Sequence, residues 1–363
     1  MESMVNYSFW KNKKVLVTGH SGFKGTWLTL WLIKMGAKVE AISLSNDNIV
    51  NQPVINFKGD LVKEHFVDIR EEEALKDIIN NSDAEIVFHL AAQALVTSSY
   101  KEPKKTFTSN VNGTLNLLDA IRSSDTIKNI IVVTTDKVYL NNDSPEIYFS
   151  EKDALGGNDP YSASKAMTEL LCTSYRESYF RKKSIKIVTA RAGNVIGGGD
   201  WSEDRLVPDF FKTIREKKNF IVRYPDAIRP WQHVLESIKG YLLYAEYLSN
   251  CGDDYVSTLN FGPNKDNTFT VSELIDGLSS FSENGAVNKN IVEPKNKESI
   301  NLLLNSDKAK LLLNWSPAMD MLTTLRTTSE WYHSSFKNID MKIFTLKQLS
   351  DYEINYCNTK RDN

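Results

Sequence analysis

Two short polar clusters carry the chemistry this chain could do. Tyr161-Ser-Ala-Ser-Lys165 sets a phenol and an amine four residues apart, and Thr135-Asp136-Lys137 sets a hydroxyl, a carboxyl and an amine side by side. Residues i and i+4 share a helix face, so Tyr161 and Lys165 point the same way if this stretch is helical. A free phenol has a pKa of about 10 and is a poor base near neutrality. A neighbouring ammonium favours the phenolate, so Lys165 is expected to lower the pKa of Tyr161 and make it a base for a hydroxyl proton. Thr135, Asp136 and Lys137 are three polar residues of types that can hydrogen-bond a substrate or move protons. A tyrosine and a lysine one turn apart are also common on solvated helices, so the elements that position them must be read next.

Pro160 opens a helix expected to run to about Tyr179, and Ile130-Ile-Val-Val-Thr134 reads as a buried strand that delivers Thr135, Asp136 and Lys137 at its end. Open α/β sheets place their chemistry at the carboxyl ends of strands. The chain's most organised stretch lies earlier. Val15-Leu-Val-Thr18 is a β-branched run that enters Gly19-His-Ser-Gly22-Phe-Lys-Gly25 and continues into the apolar Thr26–Ile33. Strand, glycine-spaced turn and helix form a dinucleotide fingerprint: Gly19 for a sharp turn, Gly22 for approach of a pyrophosphate, Gly25 for close helix–strand packing. The helix N-terminus offers free N–H groups to the phosphates. The alternative is a tight turn with no ligand, and the later Tyr-Lys pair weighs against it.

The remaining pattern alternates strands and helices. Lys38–Leu44 reads as a second strand, with Ser43 at its end, Asp47 slightly late for a ribose contact, and no Arg or Lys from Ser43 to Val50 to clamp a 2′-phosphate. This favours NAD over NADP, although Lys24 in the turn could alter that. His65–Arg70 reads as a short strand whose Asp68 either caps the following helix or accepts from an adenine amino group. Ile86–Gln93 is a buried strand running into the small residues Ala91 and Ala92, with His89 expected as a satisfied core histidine. Asn110–Ile121 has helical spacing, and Ile185–Arg191 is a further strand. Beyond Ala192 the composition changes, and Arg205, Arg223 and Arg229 appear among aromatics and prolines, suited to a lobe that closes over a phosphorylated substrate. The expected fold is a Rossmann-type, doubly wound parallel α/β sheet over 1–192, with later segments returning to it. A smaller substrate-binding lobe over 193–335 and a polar C-terminal tail over 336–363 complete it.

Bulk properties exclude several classes. The chain has 363 residues, is 41% hydrophobic and 25% charged, and has a net charge of -2, which argues against a nucleic-acid footprint. The three cysteines are scattered, as in a reducing compartment, and the five histidines show no ligand spacing, so no metal is expected. Trp27–Ile33 is too short to span a bilayer, and no signal-peptide core precedes Lys11, so a cytoplasmic protein without membrane partners is expected.

The motifs Val17-Thr-Gly-His-Ser-Gly-Phe-Lys-Gly25, Phe88-His-Leu-Ala-Ala-Gln93, Thr135-Asp-Lys-Val-Tyr139, Asp159-Pro-Tyr-Ser-Ala-Ser-Lys165, Arg191–Trp201 and Arg229-Pro-Trp-Gln-His-Val-Leu-Glu236 resemble the extended short-chain dehydrogenase/reductase superfamily, in its nucleotide-sugar branch. His20, Lys24 and Lys137 resemble the subgroup of 4,6-dehydratases that act on CDP-glucose. The resemblance implies a redox-neutral loss of water from a hexose. Catalysis would rest on Thr135, Asp136, Lys137, Tyr161 and Lys165. NAD would be held by Gly19, His20, Ser21, Gly22, Phe23, Lys24, Gly25, Ser43, Asp68, Ile69, Leu90, Ala91, Ala92, Gln93, Asn110, Thr134, Tyr161 and Lys165. The sugar nucleotide would be held by Gln93, Thr135, Asn194, Arg205, Arg229 and His233. It further implies a homodimer or homotetramer built on the helices near 110–121 and 161–179. The rival readings are a 4-epimerase or reductase on the same scaffold, a dehydratase of another nucleotide hexose, and a dinucleotide-binding protein without catalysis.

Overall fold

A computed structural model describes residues 4–45, 57, 62–141, 147–264, 269–282, 289–292 and 302–357. Asp47 and most of the connection from Asn48 lie outside the described residues. Seven parallel strands form the central sheet: β1 (Lys14–Thr18), β2 (Lys38–Ser43), β3 (Val62–Phe66), β4 (Ile86–His89), β5 (Asn129–Val133), β6 (Lys186–Ala192) and β7 (Thr258–Phe261), in the order β7-β6-β5-β4-β1-β2-β3. Strand order reverses between β1 and β4. A ligand crevice is expected at such a switch point, above the carboxyl ends of these two strands.

Helices cover both faces because the strands are apolar on both. Leu16, Val87, Ile130, Val132 and Ile187 pack on one face with α2 (Glu72–Asn80), α3 (Gly113–Ile121) and α4 (Pro160–Tyr175). Val15, Val17, Phe88, Ile131 and Val188 alternate with them and pack on the other face with α1 (Phe23–Lys34). That face is also covered by a helix from the C-terminal half. The C-terminal half contributes α5 (Leu206–Glu216), α6 (Val234–Asn250), α7 (Met321–Ser335) and α8 (Met341–Tyr352). Residues of α6 share the core of the α1 face, and β7 joins the sheet edge, so both return to the first domain's layers. A two-stranded parallel ribbon of Phe220–Val222 and Lys289–Ile291 belongs to the smaller lobe.

Two expectations need correction here. The strand expected over His65–Arg70 ends at Phe66, so Asp68 follows it in a turn. The segment from Lys337 to Tyr356, expected as a polar tail with some helical pattern, does form a helix, α8, but one that is docked: its Met341, Thr345, Gln348, Leu349 and Tyr352 are buried. Tyr352 Oη donates to Glu236 Oε2 at 2.8 Å, and its ring meets Trp31 edge-on at 5.9 Å. The stripe repeats at helical spacing, but two of its members are polar, which hides it in composition.

Candidate active site

The glycine turn closes onto the end of β4. Gly19 has φ +78°, and a Cβ there would lie 2.7 Å from Ala91 N. A Cβ on Gly25 would collide with Gly19 O, so the first helical turn rides directly on the loop. Gly22 is the N-cap of α1 and supplies no side-chain cap, which leaves the helix N–H groups to another acceptor. Exposed donors, close backbone walls and the small residues Ala91 and Ala92 fit a dinucleotide pyrophosphate. Beneath the turn, His89 Nδ1 meets Thr18 Oγ1 at 2.7 Å and Nε2 meets Thr114 Oγ1 at 2.9 Å. Burial pushes His89 down to about 3, so it is a neutral core residue, as expected.

Asn110 lies in a wide π turn, Thr108–Asn112, leading into α3. Its Oδ1 accepts from Gln93 N at 2.7 Å, and its Nδ2 donates to Gln93 O at 2.9 Å and Ser164 Oγ at 2.8 Å. It therefore fixes the loop after β4 to α4, the helix of Tyr161 and Lys165.

A cavity of about 850 Å³ opens between the sheet and the smaller lobe. Its wall brings together Thr135, Asp136, Lys137, Tyr161, Asn194, Arg205 and Arg229, with Lys24 from the glycine turn. Asp136 begins a single 3-10 turn, Asp136–Val138, capped by the Thr135 side chain. Its Oδ1 accepts from Thr135 Oγ1 at 2.9 Å, while the buried Oδ2 has no partner among the described residues. Burial raises the Asp136 carboxyl above the ordinary range, against the opposing charges of Lys137, Arg229 and Lys24. The protonated acid is thereby favoured. Lys137 is half-buried on the same turn.

Tyr161 and Lys165 occupy one face of α4, as expected, but their electrostatics differ from the expectation. Burial pushes Tyr161 up to about 12, opposed by a Thr135 hydrogen bond and the Arg205 charge. Burial also lowers Lys165 to about 8, and its Nζ donates to Val133 O at 3.2 Å. In the protein alone, desolvation outweighs the help Lys165 was expected to give. Lys24 is likewise lowered to about 7 by burial, and its Nζ donates to Tyr241 Oη at 3.3 Å. Lys24 thus lines the cavity. Arg205 Nη1 pairs with Asp200 Oδ2 at 2.9 Å and Arg223 Nη2 with Asp204 Oδ1 at 2.7 Å, so both arginines are held in the lobe.

Several expected ligand contacts are engaged elsewhere. His20 is buried with Nε2 on Glu64 Oε1 at 2.8 Å, its ring near Phe57 and Phe66. Asp68 pairs through both oxygens with Arg70, and the N-cap of α2 is Glu71, so Asp68 caps no helix. Ile69 is core, packed under Gly113. Ser43 Oγ donates to Leu44 O at 3.1 Å. Gln93 spends its side chain on Leu95 and Thr106. Thr134 Oγ1 donates to Glu169 Oε1 at 2.6 Å. His233 caps α6 through Nδ1, lies edge-on to Trp27 at 5.9 Å, and is absent from the cavity wall. In the protein alone these side chains meet groups on β3, α1 and α4, while His20 Nδ1 and His233 Nε2 stay buried without a partner among the described residues.

Sequence reasoning missed the Glu169–Arg191 pair. The signal was there: an arginine in the otherwise apolar run of β6 requires a buried counter-charge, and Glu169 lies one turn beyond Lys165.

Comparison with known proteins follows this geometry. The family model described as GDP-mannose 4,6 dehydratase matches residues 16–328. CDP-glucose 4,6-dehydratase of Salmonella typhimurium is 38% identical over 354 residues, covering 96% of this chain and 98% of that protein. Among solved structures, UDP-glucose-4-epimerase of Stenotrophomonas maltophila, with bound NAD and formylated UDP-arabinopyranose, superposes with TM-score 0.78 at 22% identity, covering 90% of this chain and all of that one. dTDP-glucose 4,6-dehydratase of Bacillus anthracis, in complex with NAD, superposes with TM-score 0.73 at 21% identity, covering 92% and 99%. With a parallel switch-point sheet, a glycine cradle and a Tyr-x-x-x-Lys helix beside a Thr-Asp-Lys turn, the chain belongs to the GDP-mannose 4,6 dehydratase family of extended short-chain dehydrogenases/reductases.

Proposed function

We propose that this protein is an NAD-dependent hydro-lyase that converts CDP-glucose to CDP-4-keto-6-deoxyglucose. NAD, when bound, would supply reversible hydride acceptance between sugar C4 and C6, and Lys165 would hold its ribose end. Tyr161 Oη takes the O4 proton and Thr135 Oγ1 orients O4. With C4 a ketone, the C5 proton becomes acidic and is removed by Lys137 or Asp136. Protonated Asp136 gives its proton to the C6 hydroxyl, which leaves as water and leaves a C5=C6 double bond; C5 regains a proton as hydride reaches C6, and the O4 proton taken up by Tyr161 replaces the one carried off in the water. Arg205 and Arg229 bind the diphosphate, with Asn194 beside them. Gly19, Ser21, Gly22, Phe23, Gly25 and Leu90–Ala92 form the cofactor seat.

The observation that carries this reading is the buried, unpartnered Asp136 Oδ2 in the same wall as Tyr161. A 4-epimerase needs the tyrosine but has no use for an acid at C6. Incubation with CDP-glucose deuterated at C4 tests the reading: label at C6 of a 4-keto product supports it, and a galactose-configured product that retains all its oxygens sinks it. A turnover panel of CDP-, dTDP-, GDP- and UDP-hexoses tests the base.

The same reading makes the protein a cytoplasmic homo-oligomer supplying deoxysugars for polysaccharide synthesis. No helix among the described residues is long and apolar enough to cross a membrane. Leu115 of α3 and Met167 and Leu170 of α4 are exposed, which suits pairing of these helices with those of a second copy.

A further inference from the structure

Behind the cavity wall lies a polar cluster that reaches the wall at Thr134. Glu169 and Arg191 are both buried, and Arg191 Nε donates to Glu169 Oε1 at 2.9 Å and Nη2 to Oε2 at 3.0 Å. Glu169 also accepts from Thr134 Oγ1 at 2.6 Å and Thr189 Oγ1 at 2.7 Å. Arg191 Nη1 donates to Tyr139 Oη at 2.8 Å, and Tyr139 Oη donates to Asn260 Oδ1 at 2.7 Å. The Tyr139 ring is stacked on Phe149 at 5.0 Å.

The placement of these partners matters more than their number. Thr134 and Tyr139 flank the stretch Thr135–Val138, which carries the hydroxyl, acid and amine of the site. Both flanks are bound to one ion pair. One member of that pair sits on α4 a turn beyond Lys165, and the other on β6, the neighbour of β5. A buried pair of this kind is weak support for stability, because desolving two charges offsets much of their attraction. It does fix direction and distance, because a bidentate guanidinium–carboxylate contact is geometrically demanding.

We propose that the Glu169–Arg191 pair is a positioning device that holds both ends of the Thr135–Val138 turn to α4, setting Asp136 and Lys137 against Tyr161. This rests on the dehydratase reading for its effect on rate, but not for its effect on the turn. Misplacing a reacting group by about 1 Å can cost on the order of a hundredfold in rate.

Two variants of the full-length protein test it. Tyr139→Phe removes one hydroxyl and keeps the stacked ring. The double variant Glu169→Gln/Arg191→Met removes the buried charges together, so that no lone charge is stranded. For both, kcat with CDP-glucose is expected to fall at least about tenfold while KM stays within about twofold. Amide hydrogen exchange over residues 135–140 is expected to speed up while β4 stays protected. A folded variant of either kind with unchanged kcat and unchanged exchange overturns the proposal. So does a loss of activity that only tracks the loss of folded protein. If the unmodified protein turns over no sugar nucleotide, the functional reading fails, and the exchange result alone then decides the positioning role.

Discussion

Asp136 is an acid because of where it sits. Its carboxyl is held above the ordinary range by burial, so the proton-donating form persists to higher pH than for an exposed aspartate. Dehydration is therefore expected to slow as pH rises through that raised value, and Asp136→Asn, which cannot donate, should lose about a hundredfold or more in kcat. A pH–rate series on both proteins checks this. Lys24 gives a stability prediction. Its amine is lowered to about 7, whereas an unfolded lysine titrates near about 10.4. Between those values the unfolded chain binds more protons, so stability rises with pH, and the full cost of burying the charge is present below about 7. Lys24→Met should thus unfold at higher temperature than the unmodified protein below neutrality, with the gain vanishing in alkaline buffer. A melt that shifts equally at every pH contradicts this. The polar residues themselves were legible in the chain, since Thr135, Asp136, Lys137, Tyr161, Asn194, Arg205 and Arg229 do share one cavity. Their protonation was not, because it depends on burial that no local pattern records.

At the scale of elements, periodicity carried far. Buried runs such as Ile130–Val133 and the glycine-spaced turn could only be central strands and a tight βα connection, and both are. What the pattern hid was direction. His20 and His233 belong to motifs at the cofactor and substrate edges, yet Glu64 on β3 and Trp27 on α1 receive their rings. Such partners lie dozens to hundreds of residues away in sequence. The glycine turn offers the clearest test at this scale. Gly19→Ala forces a Cβ into Ala91 N at a left-handed φ, and should cost about 1–3 kcal/mol or displace the turn. Calorimetry of NAD binding is expected to show weakened affinity together with a lower melting temperature.

For the whole molecule, the exposed face of α4 bears on the proposed pairing of copies. Leu170 is 61% exposed and Met167 46%, on the face of α4 turned away from the sheet. If α3 and α4 meet a second copy there, Leu170→Glu should shift the sedimentation of the protein towards the monomer. A monomeric unmodified protein contradicts the pairing. The docking of α8 was not foreseeable, because two of the five residues of its buried stripe are Thr and Gln and its anchors, Trp31 and Glu236, lie far back in the chain.

Those anchors also impose an order on synthesis. Tyr7 and Glu353, 346 positions apart, share a 2.6 Å hydrogen bond, and the same carboxylate receives the indole of Trp31 and the amine of Lys34. A nascent chain emerging from the ribosome can complete its first strand and helix early. It cannot satisfy that indole until Glu353 has been made. The N-terminal half must wait as an unsealed intermediate, and a premature stop anywhere before Glu353 would leave its tryptophan face open to chaperones and proteases. Because Tyr7 and Glu353 meet at that carboxylate, a circularly permuted variant that joins their segments by a short linker, with new ends cut at an exposed loop such as Lys217-Lys218, would let the seal form first.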